Sequence, residues 1–240
     1  MDLTLLKQLN EERAARRGSI LVTEIASGAQ RLVREADDLS ADPLGNELAA
    51  RFRSGKSGMV SDAAGGQAFL NVNVPPPRLV VIGAVHISQA LAPIAAIAGF
   101  DMEIIDPRTA FASPERFPDV RLHAEWPEDV IPGKVALDRY TALAALTHDP
   151  KIDDYPLTKA LSAGCFYVGA LGSRKTHASR VARLKETGLS EAEIARMKAP
   201  IGLNIGAASP AEIAVAVMAE IIEELRKGAR AEAPVREAVA

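Results

Sequence analysis

The stretch from Arg78 to Leu91, with the sequence RLVVIGAVHISQAL, constrains the fold more than any other part of the chain. It begins with an unbroken apolar run, Leu79–Ile82, which is typical of a strand buried on both faces of a parallel sheet. Gly83 follows directly, where the strand must turn into a helix, and an apolar helix is predicted over His86–Ala98. A second strand is predicted over Phe100–Ile105. This order of strand, turn, helix and strand predicts a Rossmann-like α/β fold.

The glycine turn departs from the fingerprint of dinucleotide-binding folds, which is G-x-G-x-x-G. The three fingerprint positions hold Gly83, Val85 and Ser88. The second glycine normally lets the backbone approach a pyrophosphate, so Val85 would crowd such a ligand. Asp106, at the end of the second strand, has the position of an acid that binds a ribose. An NAD site with Asp106 on the ribose stays an alternative, but the turn predicts the fold better than it predicts this ligand.

Three consecutive prolines, residues 75–77, are predicted to separate two domains, because proline cannot continue a sheet and stiffens the chain. The first domain, residues 1–77, is predicted to be a small α+β unit rich in hairpins. The second, residues 78–240, is predicted to hold the Rossmann-like parallel sheet and to end in a frayed tail after about residue 228. The predicted fold class is therefore α/β, with a small α+β domain in front.

Four local predictions depend on short motifs. The pair Asp42-Pro43 predicts the cap and the first residue of a helix, and Phe69 is predicted to be a buried residue of the second hairpin. The run Arg139–Thr147 could form a helix because of its alanines, but its position before His148-Asp149 favours a strand. Ser190–Lys198 is predicted to be a short helix with a capping box.

The composition is that of an ordinary soluble globular protein: 240 residues, 48% hydrophobic and 25% charged, with a net charge of −3. This mild acidity gives no reason to expect nucleic-acid binding, which usually needs a basic patch. The sequence has no apolar segment suited to spanning a membrane and no signal-peptide character in its first residues. The single cysteine, Cys165, excludes an internal disulfide and suits a reducing compartment. We therefore expect a cytoplasmic protein.

Polar or glycine-containing segments follow four predicted strands of the second domain. Ligands of doubly wound sheets bind outside the carboxyl ends of the strands, so these segments are predicted to form one cleft. The segments are Gly83–His86, Asp106–Thr109, His148-Asp149 and Gly169–Lys175.

The segment Gly169–Lys175, GALGSRK, is the strongest candidate for binding an anion. It places a glycine turn containing Gly172, the hydroxyl of Ser173 and the cations Arg174 and Lys175 at the start of a predicted helix. Free backbone N–H groups at a helix N-terminus favour a phosphate or a similar anion. The alternative is an ordinary helix cap with two solvated cations, although cations at this end of a helix oppose its dipole.

The other polar candidates are open to simpler interpretations. Asp149 could position or protonate a ligand, or it could cap the following helix with His148 beside it. His86 and His177 both open predicted helices, where a capping or packing role is more ordinary. The four histidines show no spacing that would specify a metal, and no nucleophile is paired with a base, so neither a metal site nor a catalytic residue is predicted. Cys165 is interpreted as a core residue.

Several segments of the second domain together resemble the xanthine dehydrogenase accessory factor (XdhC/CoxI) family. The resemblance covers about Arg78–Arg226 and lies in the order and spacing of the motifs. The family turn usually has Gly-Ala-Gly-His with a later glycine, where this chain has Val85 and Ser88. The motifs that carry the resemblance are Gly83–His86, Ile105–Arg108, Ala112–Phe117, Leu146–Asp149, Val168–His177, Ala199–Gly206 and Pro210–Val215.

The resemblance implies a molybdenum cofactor (molybdopterin) chaperone. Such proteins bind the cofactor, protect it while a cysteine desulfurase installs its terminal sulfur ligand, and deliver it to a xanthine dehydrogenase-type molybdenum hydroxylase. They are binding and insertion factors rather than enzymes, and a homodimer is expected. The segment Gly169–Lys175 would bind the cofactor's phosphate, while His148, Asp149 and Asn204 would contact the pterin. The residues predicted to bind the cofactor are Gly83, His86, Asp106, His148, Asp149, Gly169, Gly172, Ser173, Arg174, Lys175 and Asn204.

Two other functions stay open. An NAD(P)-dependent oxidoreductase would use the same fold with a degenerate dinucleotide-binding turn. A scaffold protein would bind a partner enzyme through the first domain and hold no ligand. Titration with NAD(P) and identification of any small molecule that copurifies with the chain would separate the three functions.

Overall fold

The computed structural model describes residues 2–228, and the chain divides between two prolines into two units, Met1–Pro75 and Pro76–Ala240. The division falls within the run of prolines where the sequence predicts a linker. The predicted frayed tail after residue 228 lies outside the described residues.

The first unit is a small α+β fold with an antiparallel sheet. Its elements are α1 (Leu3–Ala14), β1 (Ser19–Glu24), β2 (Gln30–Arg34), α2 (Gly45–Ser54), β3 (Gly58–Ser61) and β4 (Gln67–Asn73). The described strands have the order β2-β1-β4-β3, and each predicted hairpin pairs consecutive strands. Leu48 and Phe52 of α2 share a hydrophobic core with Ile20 and Leu70 of the sheet.

Helix α2 begins later than predicted. The sequence places its first residue at Pro43, whereas the helix starts at Gly45. The Asp42 carboxylate accepts a hydrogen bond from the N–H of Leu44 over 2.9 Å, so it closes a turn before the helix instead of capping it.

The predicted burial of Phe69 is wrong. Phe69 is 39% exposed, whereas its neighbours on β4, Ala68 and Leu70, are buried. Since successive side chains of a strand point to opposite faces, Phe69 lies on the outer face. Val72 and Val74, which the sequence also predicts to be buried, pack against the core. The largest apolar side chain of this strand is not on its core face.

The second unit contains the predicted parallel sheet. Its elements are β5 (Arg78–Ile82), α3 (His86–Ile97), β6 (Asp101–Ile105), β7 (Arg121–His123), α4 (Pro127–Val130), β8 (Thr141–Ala145), α5 (Pro150–Ser162), β9 (Tyr167–Ala170), α6 (Arg174–Glu186), α7 (Glu191–Ala195), β10 (Met197–Lys198) and α8 (Pro210–Glu223), followed by a π-helical turn, Glu224–Gly228. The described strands have the order β10-β9-β8-β5-β6-β7, and all neighbours are parallel. Counted from β7, this is the 3-2-1-4-5-6 order of the Rossmann fold.

Helices cover both faces of this sheet, which explains why β5 is apolar along its length. Leu79 and Val81 pack in the core that includes α3 and α8, while Val80 and Ile82 pack in the core that includes α5, α6 and α7. The prediction of a strand buried on both faces is therefore confirmed. None of the helices within residues 2–228 is both long enough and apolar enough to cross a membrane.

Two further assignments show where sequence patterns succeed and where they fail. The run Arg139–Thr147 contains β8, whose five residues are all buried, so the prediction of a strand is confirmed. The helix predicted over Ser190–Lys198 ends at Ala195, and Met197 and Lys198 form β10 by pairing with β9. A strand of two residues is too short to produce a periodic pattern.

Candidate functional site

The loops that carry the predicted site follow the carboxyl ends of parallel strands, so they lie at one edge of the sheet, called here the carboxyl edge. It is formed by residues 83–85 after β5, 106–120 after β6, 146–149 after β8, 171–173 after β9 and 199–209 after β10. Ten of the eleven predicted contact residues lie on these loops or on the first turn of the following helix. The exception is Gly169.

The turn after β5 requires glycine at its first position. Gly83 has a φ of +116°, which other residues rarely adopt, and a Cβ there would lie 2.8 Å from Cγ2 of Thr147. The buried hydroxyl of Ser88 donates to the Gly83 carbonyl oxygen over 2.5 Å. Ser88 thus ties the start of α3 to the turn, in the position of the third fingerprint glycine.

The loop after β6 contacts this turn through one arginine. The Arg116 guanidinium donates to the carbonyl oxygen of Ala84 over 3.0 Å and to that of Phe111 over 2.7 Å. It also donates to the side chain of Gln89 on α3 over 2.8 Å. With Val85 in place of the second glycine, these contacts favour a turn closed by the protein's own groups over one open to a pyrophosphate.

Asp106 is fully buried, and protein groups use both oxygens of its carboxylate. Oδ2 accepts from the N–H of Ala84 and from the Arg108 guanidinium, each over 2.7 Å, while Oδ1 accepts from the N–H and Nε of Arg108, each over 2.9 Å. Burial by itself would raise the pKa of this carboxyl, but the hydrogen bonds from Arg108 and Ala84 hold the pKa below its usual value. Within the protein, this carboxylate fixes the turn and Arg108, so a ligand contact at Asp106 would compete with these four hydrogen bonds.

The start of α6 has the features of an anion site. Gly172 has a φ of +141°, and the Ser173 hydroxyl accepts from the N–H of Thr176 over 3.2 Å, so Ser173 caps the helix as predicted. Arg174 and Lys175 are the first two residues of this 13-residue helix, and both are exposed. The first N–H groups of a helix have no acceptor within it, and the two cations add to the positive potential there.

Gly169 lies within β9 and not in the loop that follows it. A Cβ at this position would lie 2.5 Å from the Tyr167 hydroxyl and 2.7 Å from the side chain of Ile201. The glycine is therefore required for close packing, and the predicted anion-binding segment begins inside the strand instead of in the loop.

The loop after β8 presents His148 at the carboxyl edge. His148 is exposed and has a φ of +65°, a left-handed conformation that is uncommon outside glycine. Asp149 caps α5 by accepting from the N–H of Lys151 over 3.0 Å, which is the simpler of its two predicted roles. The Thr147 hydroxyl accepts from the N–H of Asp149 and donates to Asp153, which links this loop to α5.

His86 and Asn204 are also exposed at the carboxyl edge. His86 is the first residue of α3, and Asn204 lies in the loop after β10. Glu220 of α8 holds that loop, because its Oε2 accepts from the N–H of Gly202 over 2.8 Å and from the Tyr167 hydroxyl over 2.6 Å. Both side chains are placed where a ligand at this edge could reach them.

Two buried charged residues behind the edge escaped the sequence analysis. Asp153 on α5 is 1% exposed and Arg180 on α6 is 2% exposed. Neither stands out in the sequence, because charged residues on helices are usually solvated. The Arg180 guanidinium donates over 3.0 Å to the carbonyl oxygen of Leu171, directly before the Gly172 turn. No local pattern in the sequence marks these two residues as buried, because their burial depends on how α5 packs against α6.

Cys165 is a core residue, as the sequence analysis interpreted it. Its side chain is buried, and burial raises the pKa of the thiol to about 12. A thiol in this state is a poor nucleophile and a poor metal ligand. Within residues 2–228, no group of three or more His, Cys, Asp and Glu side chains is arranged to hold a metal ion.

Comparison with known proteins identifies the second unit. Residues 79–221, more than half of the chain, match the family described as the XdhC Rossmann domain. The chain belongs to the XdhC Rossmann domain family. The match extends from β5 into α8, so the loops of the carboxyl edge fall within the XdhC domain, and the resemblance carried by the motifs is confirmed.

Three bacterial proteins are similar to this XdhC-family chain. The uncharacterized protein YqeB of Escherichia coli (strain K12) is 36% identical over 175 residues, which are 71% of this chain and 32% of YqeB. The molybdenum cofactor insertion chaperone PaoD of the same strain is 33% identical over 147 residues, 61% of this chain and 40% of PaoD. A protein of Bacillus subtilis (strain 168), named as a probable xanthine dehydrogenase subunit, is 33% identical over 154 residues, 64% of this chain and 44% of that protein. The chain spans less than half the length of each.

A solved structure shares the fold of the chain. The crystal structure of a xanthine dehydrogenase from Bacillus halodurans has a TM-score of 0.67 at 22% sequence identity. The likeness covers 97% of this chain and 71% of the other chain. At this level of identity, it shows a common fold.

Proposed function

We propose that this XdhC-family chain is a molybdenum cofactor chaperone, which binds the cofactor at the carboxyl edge and delivers it to a xanthine dehydrogenase-type molybdenum hydroxylase. The names of two relatives, a molybdenum cofactor insertion chaperone and a probable xanthine dehydrogenase subunit, support this role. Because the chain spans less than half of either relative, the proposal also needs support from the geometry of the site.

The observation that carries the proposal is the start of α6. Arg174 and Lys175 lie in its first turn, where the helix dipole disfavours positive charge, so a bound anion is a physical reason for their position. The phosphate of the cofactor would accept hydrogen bonds from the first N–H groups of α6 and pair with both cations. Gly172, with its positive φ, allows the sharp turn that exposes these N–H groups.

Exposed polar side chains on the other loops are assigned to the organic part of the cofactor. Imidazole, carboxylate and amide groups can each donate to or accept from the edge of a pterin ring. Asp106 and Gly169 are left out of this assignment, because the protein encloses both. The assigned residues are His86, His148, Asp149 and Asn204.

Sulfuration of the cofactor is assigned to a partner protein. The single cysteine of the chain is buried, and the pKa of its thiol is raised to about 12, so it is poorly suited to carry a persulfide. We expect a cysteine desulfurase to act directly on the bound cofactor. We also expect the chain to work in the cytoplasm, as a homodimer, by binding and transfer rather than by turnover of a substrate.

Replacing Cys165 with alanine is expected to leave sulfuration of the bound cofactor unchanged. The loss of one buried sulfur should cost the fold on the order of 1 kcal/mol. The measurement is the sulfur content of cofactor recovered from the wild-type chain and from C165A after incubation with a desulfurase. Loss of sulfuration in folded C165A would show that this thiol relays the sulfur.

Removing both cations at the start of α6 is expected to weaken cofactor binding by about tenfold or more. Each charge-assisted hydrogen bond contributes on the order of 1–2 kcal/mol, and solvent reduces this value because both side chains are exposed. The measurement is a titration of isolated molybdenum cofactor, without oxygen, into the wild-type chain and the double variant R174A/K175A.

The matched control for this titration is K56A, which removes an exposed cation from the first unit. It should bind the cofactor as the wild-type chain does. Equal affinities of the wild-type chain, K56A and R174A/K175A would remove the start of α6 from the site.

An NAD(P)-dependent oxidoreductase is the second candidate function, and the 3-2-1-4-5-6 order of the strands favours it. The contacts that Arg116 and Asp106 make around the Gly83 turn oppose it. Titration with NAD(H) and NADP(H) separates the two functions. Binding at micromolar concentration would favour the oxidoreductase, and a lack of binding would favour the chaperone.

A further inference from the structure

Behind the loops of the carboxyl edge, a buried carboxylate and a buried guanidinium face each other without a hydrogen bond. Nη2 of Arg180 lies 3.9 Å from Oδ2 of Asp153, which is too far for a direct bond. Among the described residues, Oδ2 of Asp153, Nε and Nη1 of Arg180 and Nδ1 of His177 have no hydrogen-bond partner. Buried polar atoms are rarely left unpaired, because each one destabilises the fold. Three of these atoms belong to the facing pair, and His177 lies three residues before Arg180 on the same helix.

Both charged groups are attached to loops of the carboxyl edge. Oδ1 of Asp153 accepts from the Thr147 hydroxyl over 2.7 Å, and Thr147 precedes His148 in the loop after β8. Nη2 of Arg180 donates over 3.0 Å to the carbonyl oxygen of Leu171, in the loop after β9. The unpaired atoms therefore belong to the same edge as the anion-binding features of α6.

The ion pair of Asp106 and Arg108, at the same edge, shows the contrast with a pair whose hydrogen bonds are made. Asp106 and Arg108 bond directly, and these hydrogen bonds outweigh burial, so the pKa of Asp106 is held below its usual value and that of Arg108 above it. For Asp153 and Arg180 both pKa shifts have the opposite direction: burial raises the pKa of Asp153 to about 6 and lowers the pKa of Arg180. Burial outweighs the attraction between Asp153 and Arg180 in both pKa shifts, and three side-chain atoms of the pair have no hydrogen-bond partner.

We propose that Arg180 and Asp153, with His177 beside them, form an inner pocket of the XdhC site that binds the heterocyclic end of the ligand. This proposal rests on the proposed function, because it divides one ligand between the start of α6, which takes the phosphate, and the inner pocket, which takes the ring. The ring recognised here carries a hydrogen-bond acceptor next to a donor, as in the amide edge of a pyrimidinone. Its acceptor would receive from Nη1 of Arg180, and its N–H would donate to Oδ2 of Asp153.

An anion fits this pocket less well than a neutral ring. A phosphate at Arg180 would lie beside the Asp153 carboxylate and repel it, whereas a ring amide satisfies the donor and the acceptor together. The neighbouring charges do not change this, because Asp154 and Arg183 form their own ion pair, with bonds of 2.5 and 3.0 Å. The recognised chemistry is therefore a neutral, planar heterocycle with adjacent acceptor and donor atoms.

Access to the pocket requires a small movement of the protein, since Asp153 and Arg180 are almost fully enclosed.

The test uses the phosphate-free ring and inorganic phosphate as separate probes on the full chain. Pterin (2-amino-4-oxopteridine) is titrated into the wild-type chain, R180M, D153N and R174A/K175A, with its own fluorescence as the signal. We expect R180M and D153N each to weaken pterin binding by about tenfold or more, and R174A/K175A to leave it unchanged. Inorganic phosphate should compete with the intact cofactor for binding to the wild-type chain. We expect this competition to be weaker in R174A/K175A and unchanged in R180M and D153N.

Two results would overturn the inner pocket. The first is pterin binding at wild-type strength in folded R180M and D153N. A change in the thermal stability of these variants without a change in pterin affinity counts as the same result, because it is what a water molecule bridging these atoms would give. The second is a lack of pterin binding by the wild-type chain. In both cases the phosphate site stands as long as the intact cofactor still binds; failure of the intact cofactor to bind the wild-type chain would count against the proposed function instead.

The two inner variants protect the test against a failure to fold. Methionine is close to arginine in length, but it leaves the buried Asp153 carboxylate without a facing charge, which can destabilise the fold considerably. Asparagine keeps the size of Asp153 and an oxygen for the Thr147 hydroxyl. If circular dichroism shows R180M to be unfolded, D153N decides the outcome.

Discussion

Asp106→Ala should lower the free energy of unfolding of the second unit by about 2–3 kcal/mol, the cost of leaving buried donors without their charged acceptor. The Arg108 side chain is 34% exposed, so water offsets part of the loss of its partner. The carboxylate is fully buried and accepts four hydrogen bonds from Ala84 and Arg108. Without it, the N–H of Ala84 and the Arg108 guanidinium lose their acceptor where β5 turns into α3. Any effect on ligand binding would then follow from damage to the turn.

Urea unfolding followed by tryptophan fluorescence measures this loss, because the single tryptophan, Trp126, lies in the second unit. Asp101→Ala is the matched control: it removes the carboxylate of an ion pair with Arg121 in which both side chains are exposed. It should cost about 1 kcal/mol at most. Equal losses of unfolding free energy in the two variants would contradict the structural role of Asp106. The prediction that Asp106 contacts the ligand would then be favoured.

Asp153→Asn should change how the stability of the second unit depends on pH, by up to about 3 kcal/mol. Burial raises the pKa of Asp153 from 3.8 to about 6 in the folded chain. Between about pH 4 and pH 6 the folded state keeps a proton that the unfolded state releases, so stability falls as the pH rises through this window. The variant and the wild-type chain should differ least near pH 4, and the wild-type chain should be relatively less stable above about pH 6.5.

The groups around Asp153 act on its pKa in both directions. The Thr147 hydroxyl and Arg180 favour the carboxylate, whereas Asp154 disfavours it. The measurement is the free energy of unfolding of the wild-type chain and D153N from pH 4 to pH 8. Asp119→Asn, at an exposed position, is the control for general effects of removing a carboxylate. A constant difference between D153N and the wild-type chain would contradict the raised pKa.

The parallel sheet was predictable because its central strand carries its own signal. The apolar run of β5 has no alternation, and the structure buries it on both faces, as such a run implies. For β8 composition was ambiguous, and only its position before a polar strand tip favoured a strand. The short strand β10 and the phase of β4 could not be predicted in this way. The strand β10 depends on its pairing with β9, and the buried face of β4 depends on which side of the sheet packs against α2.

The outer part of the candidate site was predictable, and the inner part was not. A glycine turn, a serine cap and two cations at the start of α6 are local features that the sequence displays directly. For Asp106 the sequence could not decide, because the same position can serve a ribose or the protein's own turn, and the contact with Arg108 favours the turn. The burial of Arg180 depends on how α5 and α6 meet, which no local pattern contains.

The central claim is that the start of α6 holds the phosphate of a molybdenum cofactor at the carboxyl edge. Native mass spectrometry tests it most directly, on the wild-type chain and R174A/K175A purified without oxygen from cells that make the cofactor. We predict a bound species that contains molybdenum and a phosphorylated pterin on the wild-type chain, and its loss from the double variant. A nicotinamide dinucleotide in its place, or the same species undiminished in R174A/K175A, would contradict the account.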